Sequence, residues 1–447
     1  MGHRHVIVTG LIRYAFPGVA MTYPATYYSH TTADALVRPT LEHEITADVA
    51  VIGGGLAGLS AALQLSRAGK QVVVLEAESI GFGASGRNGG FVSPGFASGG
   101  DEIAARAGKS VAKALHQLSI EGVDFVRQNI DTLKIDEAQP VPGILHVRRY
   151  DDGDSLKHYA DALQRDYGYR IDFRPTAETR SILNSKRYFQ SVYDPNAFHI
   201  HPLNYLRALG REIERLGGLI FEHSRVVQLL DQKDGKLVKT AHGQVRAGAV
   251  LITTGGYTDG LVGQIRRAYL PIATYVMVSE EAPELIASAI RTTAAIGDNR
   301  RAGDYYRVID GGRRLLWGGR ITTRAADTPG VVRELRNEMV GTYPQLTSLK
   351  TELAWSGLMS YARHLMPQIG QLDRNTWYCT AFGGHGLNTT AAGGMVVAEA
   401  ICGQSDRYKL FEKFGLVWAG GAAGLAAAQL TYWKLQMQDW LAERKAS

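Results

Sequence analysis

Between residues 46 and 90 the hydrophobic pattern changes period twice. "ADVAVI" is a continuous apolar run suited to a strand buried on both faces, and "LSAALQLSRAG" repeats its apolar positions at helical spacing, with Gly69 as a stop signal. "QVVVLE" is a second buried strand ending in Glu76. Further along, residues 101–129 carry helical spacing. "PVPGILHVRRY" opens a strand-rich region that the helix-like "GDSLKHYADALQRDYGY" interrupts. "HIHPLNYLRALGREIERLGGLIFEHSRVVQLL" reads as a helix and then a strand, and "GQVRAGAVLITTGGYT" as a strand running into a glycine turn, as in a doubly wound sheet. "YLPIATYVMVSE" and "RRLLWGGRI" are rich in β-branched and aromatic residues. The C-terminal "LVWAGGAAGLAAAQLTYWKLQMQDWLAERK" predicts a small-residue helix followed by an amphipathic one with Trp433, Met437, Trp440 and Leu441 at helical spacing.

These elements predict an α/β chain: a discontinuous Rossmann-like dinucleotide-binding domain, an inserted mainly antiparallel β substrate domain, and a C-terminal helical extension. The expected boundaries are an N-terminal extension at 1–45, the dinucleotide domain at 46–135, 196–265 and 355–403, the substrate domain at 136–195 and 266–354, and the extension at 404–447. Residues before about Tyr23 are expected to play no part in function, which leaves Met1 and Met21 both open as the start. "HVIVTGLIRYAFPGVAM" is broken by Arg13, Pro17 and Gly18, and is too short to span a bilayer or to read as a secretory signal.

Gly53, Gly55 and Gly58 stand in G-x-G-x-x-G spacing between the first strand and its helix. The first allows the sharp turn, the second lets backbone approach a pyrophosphate, and the third lets helix pack on strand, with the pyrophosphate on the helix N-terminus beside Leu56 and Ala57. Glu76, followed by Ala77, can accept hydrogen bonds from a ribose hydroxyl and would repel a 2′-phosphate. Only one such fingerprint is present, because "TTGGYTDG" lacks the spacing for a second, although Thr254 and Gly255 within it are expected to contact the same cofactor. With no dedicated NAD(P)H site, electrons are expected to come directly from an organic substrate.

Composition narrows the class. A chain of 447 residues with 45% hydrophobic content suggests two or three domains. The formal charge of +6 comes from scattered Lys and Arg, which gives little support for nucleic acid. Cys379 and Cys402 make neither a disulfide framework nor a metal cluster, so no metal is expected and a reducing, cytoplasmic setting is. The apolar run at the C-terminus is too short to span a membrane, and Gln429 and Lys434 interrupt the wider segment. Packing on the parent domain or on the partner of a homodimer is expected there instead.

Gly53, Gly54, Gly55, Gly58 and Glu76, then "GASGRNGG", then "WYCTAFGGHGLNTTAAGGMVVAEAI", resemble the FAD-dependent D-amino-acid oxidase and glycine oxidase superfamily over residues 47–403. The similarity is greatest to γ-glutamylputrescine oxidoreductase-like amine oxidases. The resemblance implies FAD, with Gly83, Ala84, Ser85, Arg87, Asn88, Gly89 and Gly90 lying against the flavin and Val226 meeting the adenine. Gly383, Gly384, His385, Gly386, Leu387 and Asn388 would supply donors near the pyrimidine end of the ring system.

Departures from the family pattern shape the remaining expectations. The cysteine that links flavin covalently in sarcosine oxidase-like members is replaced by Tyr361, which implies non-covalent FAD. The lysine that holds a carboxylate after "GHG" is replaced by Asn388, which disfavours a small α-amino acid. A substrate pocket of Tyr275, Tyr305, Trp317, Trp355 and Tyr361, with Tyr306 nearby, is expected to suit an amine, with Arg307 or Arg320 as candidates for an anionic tail. His385, Tyr361 and His364 are the catalytic candidates. The implied activity is hydride transfer from a primary or secondary amine to flavin, giving an imine that hydrolyses to an aldehyde. The alternatives are an amino-acid or imino-acid oxidase or dehydrogenase, and a flavin-bearing subunit of a heteromeric or membrane-associated enzyme. "YLPIATYVMVSEE" contains no Lys or Arg to favour reaction with O2, so a quinone or carrier protein is expected as acceptor unless Arg87 or His364 stands near the flavin.

Overall fold

The computed structural model describes residues 7–8, 23–33, 36–300, 303–323 and 329–446. The rest of the first 22 residues, and with them the question of Met1 or Met21, lies outside the described residues.

Two sheets carry the fold. In the smaller, the strand Glu44–Ile52 lies between Val72–Leu75 and Gln244–Ile252 in parallel, with Leu219–Phe221 beyond the first neighbour and Thr376–Thr380 beyond the second. The four residues Val49, Ala50, Val51 and Ile52 are all buried, as a strand covered on both faces requires. The helix Leu56–Arg67 follows at once, and Gly69 takes φ +77° just past its end.

The region 101–129, which reads as one helical pattern, is two helices, Gly100–Ala107 and Lys109–Leu133. Gly108 at φ +91° breaks them, since helical backbone cannot continue through that conformation. The second of these packs on the helix Gly386–Ile401: a Cβ on Gly122 would come 2.2 Å from the Asn388 carbonyl oxygen.

Among the described residues the larger sheet has ten strands. Its pairings are antiparallel except for Val141–Val147 with Ala295–Asp298, and Ile7–Val8 with Thr351–Ala362. The strand Thr351–Ala362 pairs along its length with Tyr269–Ser279, so residues 355–362 belong to this sheet and not to the smaller one. The C-terminal segment forms one helix, Gly421–Ala446, where two were expected. No Gly or Pro interrupts it between its small-residue half and its amphipathic half. Among the described residues no helix is long and apolar enough to cross a membrane.

Candidate functional site

One cavity of about 1880 Å³ runs between the two sheets. At one end the turn after Glu44–Ile52 enters it. Gly53 holds φ +112°, where a Cβ would meet the Thr253 carbonyl at 3.0 Å, and a Cβ on Gly58 would stand 2.0 Å from the Gly53 carbonyl. Gly53 and Gly55 therefore line the cavity with Leu56 and Ala57, while Gly58 sits behind them as the contact between helix and turn. Ser85 reaches in from the second glycine run and accepts the Leu56 N–H at 3.0 Å, so it supplies a cap that Gly55 has no side chain to make.

Glu76 lines the same end with Ala77 and Val226. Its carboxylate is anchored by the Gly54 N–H at 2.6 Å and the Glu78 N–H at 2.9 Å. Burial raises its pKa despite these donors, and acceptor positions remain for ribose hydroxyls. A backbone cradle that a Cβ would fill, a helix N-terminus and an anchored acid are the donor and acceptor set an adenine dinucleotide requires.

Running on from Ser85, Gly83, Ala84, Arg87, Asn88, Gly89 and Gly90 form one wall, and Gly383, Gly384, His385, Gly386 and Leu387 another; Thr254 and Gly255 also line the cavity. Arg87 is fixed by the Gly83 and Ser356 carbonyls and the Tyr257 hydroxyl, with its guanidinium 5.1 Å from the Phe82 ring centroid. His385 caps the helix Gly386–Ile401. Its Nε2 lies 3.1 Å from the Pro94 carbonyl and 3.4 Å from Ser93 Oγ, and burial lowers its pKa, so it stands as a neutral donor. Tyr361 borders the cavity with its hydroxyl 2.6 Å from the point a Cβ on Gly384 would occupy; burial pushes that hydroxyl up to about 12.

Several expected residues stand elsewhere. Asn388 does not line the cavity, because its amide donates to the Gly95 and Ser119 carbonyls. His364 is also outside, held between the Gly415 carbonyl and the Met366 N–H. Of the expected aromatic pocket, Tyr305 and Tyr361 line the cavity and the others do not. Trp317 stacks on Tyr306 at 4.1 Å in a core shared with Tyr343, and Trp355 is buried with its Nε1 donating to the Arg87 carbonyl at 2.8 Å. Tyr275 is buried in the Trp317 cluster with its hydroxyl on Thr322. Alternation along the strands sends Trp317 and Tyr275 to the face away from Tyr305, whereas Trp355 shares the face of Tyr305 and is covered there by Tyr28 at 5.7 Å between ring centroids. Arg307 is also internal, bonded to the Gly89 and Ile200 carbonyls, His199 and the Tyr28 hydroxyl.

Other residues take those places. His146, Thr274, Asp304 and Met359 line the cavity, together with Arg320, which the sequence did single out, and the C-terminal helix covers it with Ala427, Ala428 and Tyr432. That helix is tied down by Gln429, which accepts from the Thr323 N–H and hydroxyl at 3.2 Å, and by the Tyr432 hydroxyl, which accepts the Ile321 N–H at 3.2 Å. The small-residue run "AGGAAGLAAA" is the signal that could have placed this helix against a cavity.

A family model described as "DAO: FAD dependent oxidoreductase" matches residues 48–400. The chain is 33% identical over 392 residues to γ-glutamylputrescine oxidoreductase of Escherichia coli, covering 87% of this chain and 91% of that one. It is 32% identical to the probable oxidoreductase OrdL of Haemophilus influenzae, covering 86% and 90%. Among solved structures, glycine oxidase from Bacillus cereus superposes with a TM-score of 0.68 at 21% identity over 81% of this chain and 97% of that one. L-proline dehydrogenase from P. horikoshii superposes with 0.67 at 18% over 85% and 100%.

Proposed function

We propose, for a chain that belongs to the FAD-dependent oxidoreductase family, that its substrate is a primary or secondary amine of the γ-glutamylputrescine kind. FAD, when bound, accepts hydride from the carbon next to nitrogen; the resulting imine hydrolyses to an aldehyde. The protein's part is to hold that carbon in line, exclude water and keep the nitrogen unprotonated.

One observation carries the amine reading: the site that follows "GGHG" presents apolar Leu387 to the cavity, while Asn388 turns away to backbone carbonyls. A carboxylate has no cation to meet there. The cavity lining contains no lysine among the described residues; of its arginines, Arg320 is paired with Glu338 at 2.9 Å, Arg225 with Glu78 at 3.0 Å, Arg87 is bonded to Gly83, Ser356 and Tyr257, and Arg266 and Arg363 border it away from the "GGHG" turn in sequence. The two free thiols, Cys379 and Cys402, support a reducing cytoplasmic setting.

The test is anaerobic mixing of the purified protein with putrescine, spermidine, γ-glutamylputrescine, N-methylated amines and α-amino acids, scored by loss of the oxidised flavin band. Bleaching by amines is expected. Bleaching by α-amino acids alone would overturn the reading in favour of an amino-acid oxidase or dehydrogenase.

A second reading, a flavin-bearing subunit of a larger assembly, is favoured by the outer face of the C-terminal helix. There Leu430, Trp433, Met437 and Trp440 are each more than half exposed. Full substrate turnover by a monodisperse single chain would exclude it.

A further inference from the structure

The strand Val141–Val147 turns one titratable side chain into the cavity. His146 is exposed to it while Ile144, Leu145 and Val147 are buried. In register, His146 pairs with Gly297, and Gly297 pairs with Tyr305 on the next strand. Residues opposite one another in a sheet share a face. His146 and Tyr305 therefore flank Gly297 on the cavity face, separated by two strand spacings, roughly 9.5 Å at the backbone.

The place between them is open. A Cβ on Gly297 would meet nothing within 4 Å, whereas Tyr305 leans the other way, over Gly318 and Gly89. This open place over Gly297 is a slot on the cavity wall between the two side chains. No hydrogen bond or ion pair holds the His146 ring among the described residues, and its nitrogens are not sealed in the core.

We propose that His146 binds the substrate amine: a ring nitrogen accepts a hydrogen bond from the amine N–H in the slot over Gly297, and so orients the carbon that gives up hydride. This rests on the amine reading and adds the residue that selects for nitrogen bearing a hydrogen. The surrounding charges fit an acceptor. Protein on every side of the cavity and the neighbouring Arg148 push the imidazole down to about 4, so it is neutral with a free lone pair at physiological pH. Arg148 is itself shared with Asp152. From the facing elements, His385 is held by Pro94, Asp194 by the Tyr169 hydroxyl, and Asp298 by Arg149 and Arg300; the Tyr305 hydroxyl is kept protonated by burial. None of these gives His146 a competing partner.

The experiment uses FAD-loaded full-length wild type, His146→Phe and His146→Gln, with the amine that best bleaches the wild type. Flavin content and the apparent dissociation constant, from saturation of anaerobic flavin reduction, are measured between pH 6 and 9. Phe removes the acceptor, so the dissociation constant is expected to rise about tenfold with flavin content unchanged. Gln keeps an acceptor and is expected to stay within about threefold of wild type. The ratio between variants should not change across the pH range, because the imidazole stays neutral throughout. Equal affinity in all three proteins, equal losses in Phe and Gln, or loss of flavin in both variants would overturn the proposal. If only α-amino acids bleach the wild type, the amine reading fails by itself, and the same variants score His146 on that amino acid.

Discussion

Tyr305 lies on Gly89: the ring Cε2 is 2.6 Å from the point where a Cβ on that glycine would stand. The glycine run and the large sheet thus meet closely here, with the Gly89 carbonyl also accepting the Arg307 Nε–H at 2.7 Å. Gly89→Ala is therefore expected to push Tyr305 out of position and slow amine-dependent flavin bleaching by about tenfold or more, since misplacement by an ångström degrades alignment. Stopped-flow reduction checks this, and a wild-type rate would show that Tyr305 tolerates displacement.

Gly55→Val should abolish cofactor retention. Its Cβ would come 2.9 Å from Ser85 Oγ, the group that caps Leu56, and its methyls would enter the cavity beside the helix N-terminus. The ratio of flavin to protein absorbance after purification reads the effect. Wild-type flavin content would remove the pyrophosphate from this turn.

Acid precipitation should release all of the flavin, with slow reoxidation when air is admitted after anaerobic reduction. Cys379 borders the cavity but is fully buried, its thiol held protonated by that burial, and Tyr361 borders the cavity beside the Gly383–Gly384 turn. Arg87 has its guanidinium occupied by Gly83, Ser356 and Tyr257, and His364 lies outside the cavity, so neither offers a free cation to favour O2. Yellow colour in the pellet, or immediate return of the flavin band in air, would contradict the two halves separately.

Acid should destabilise the fold through His199 and His201. Burial holds both near 3, against an ordinary value of about 6.5, so the unfolded chain binds protons that the native one refuses between those values. Stability is complete above about pH 6.5 and falls as pH drops towards 3, by about 2 kcal/mol per histidine at pH 5. His201 is the N-cap of Pro202–Arg215, accepting the Asn204 N–H through Nδ1 at 3.1 Å. His201→Asn keeps a capping acceptor and is expected to flatten the fall of Tm between pH 7 and 4.5. An unchanged slope would place the acid sensitivity elsewhere.

Truncation before Gly421 should leave FAD bound but raise KM for the amine several-fold, because it removes Tyr432 and the alanine face that cover the cavity while leaving the glycine turn untouched. An unchanged KM would limit that helix to a role away from the substrate.

The cofactor end of the site was legible in the sequence because its chemistry is local. Gly53, Gly55, Gly58 and Glu76 act through backbone conformation and strand position within about twenty-five residues, and period and spacing report both directly. The same holds for the two buried strands and the helix between them. The break at Gly108 was missed, because the apolar spacing runs on at helical period across a glycine whose positive φ only the structure shows.

The substrate end was decided by pairing between distant strands. Trp317 and Trp355 look like pocket walls in composition, but strand register turns Trp317 into a packed core, Tyr28 covers Trp355 on the face of Tyr305, and the same register brings His146 across Gly297 from Tyr305. A shift of one residue would reverse each of these placements, since side chains alternate faces with period two. Residue type alone determined that this chain could cradle a dinucleotide. Which aromatic, histidine or helix faces the cavity was decided only when the two sheets closed over it.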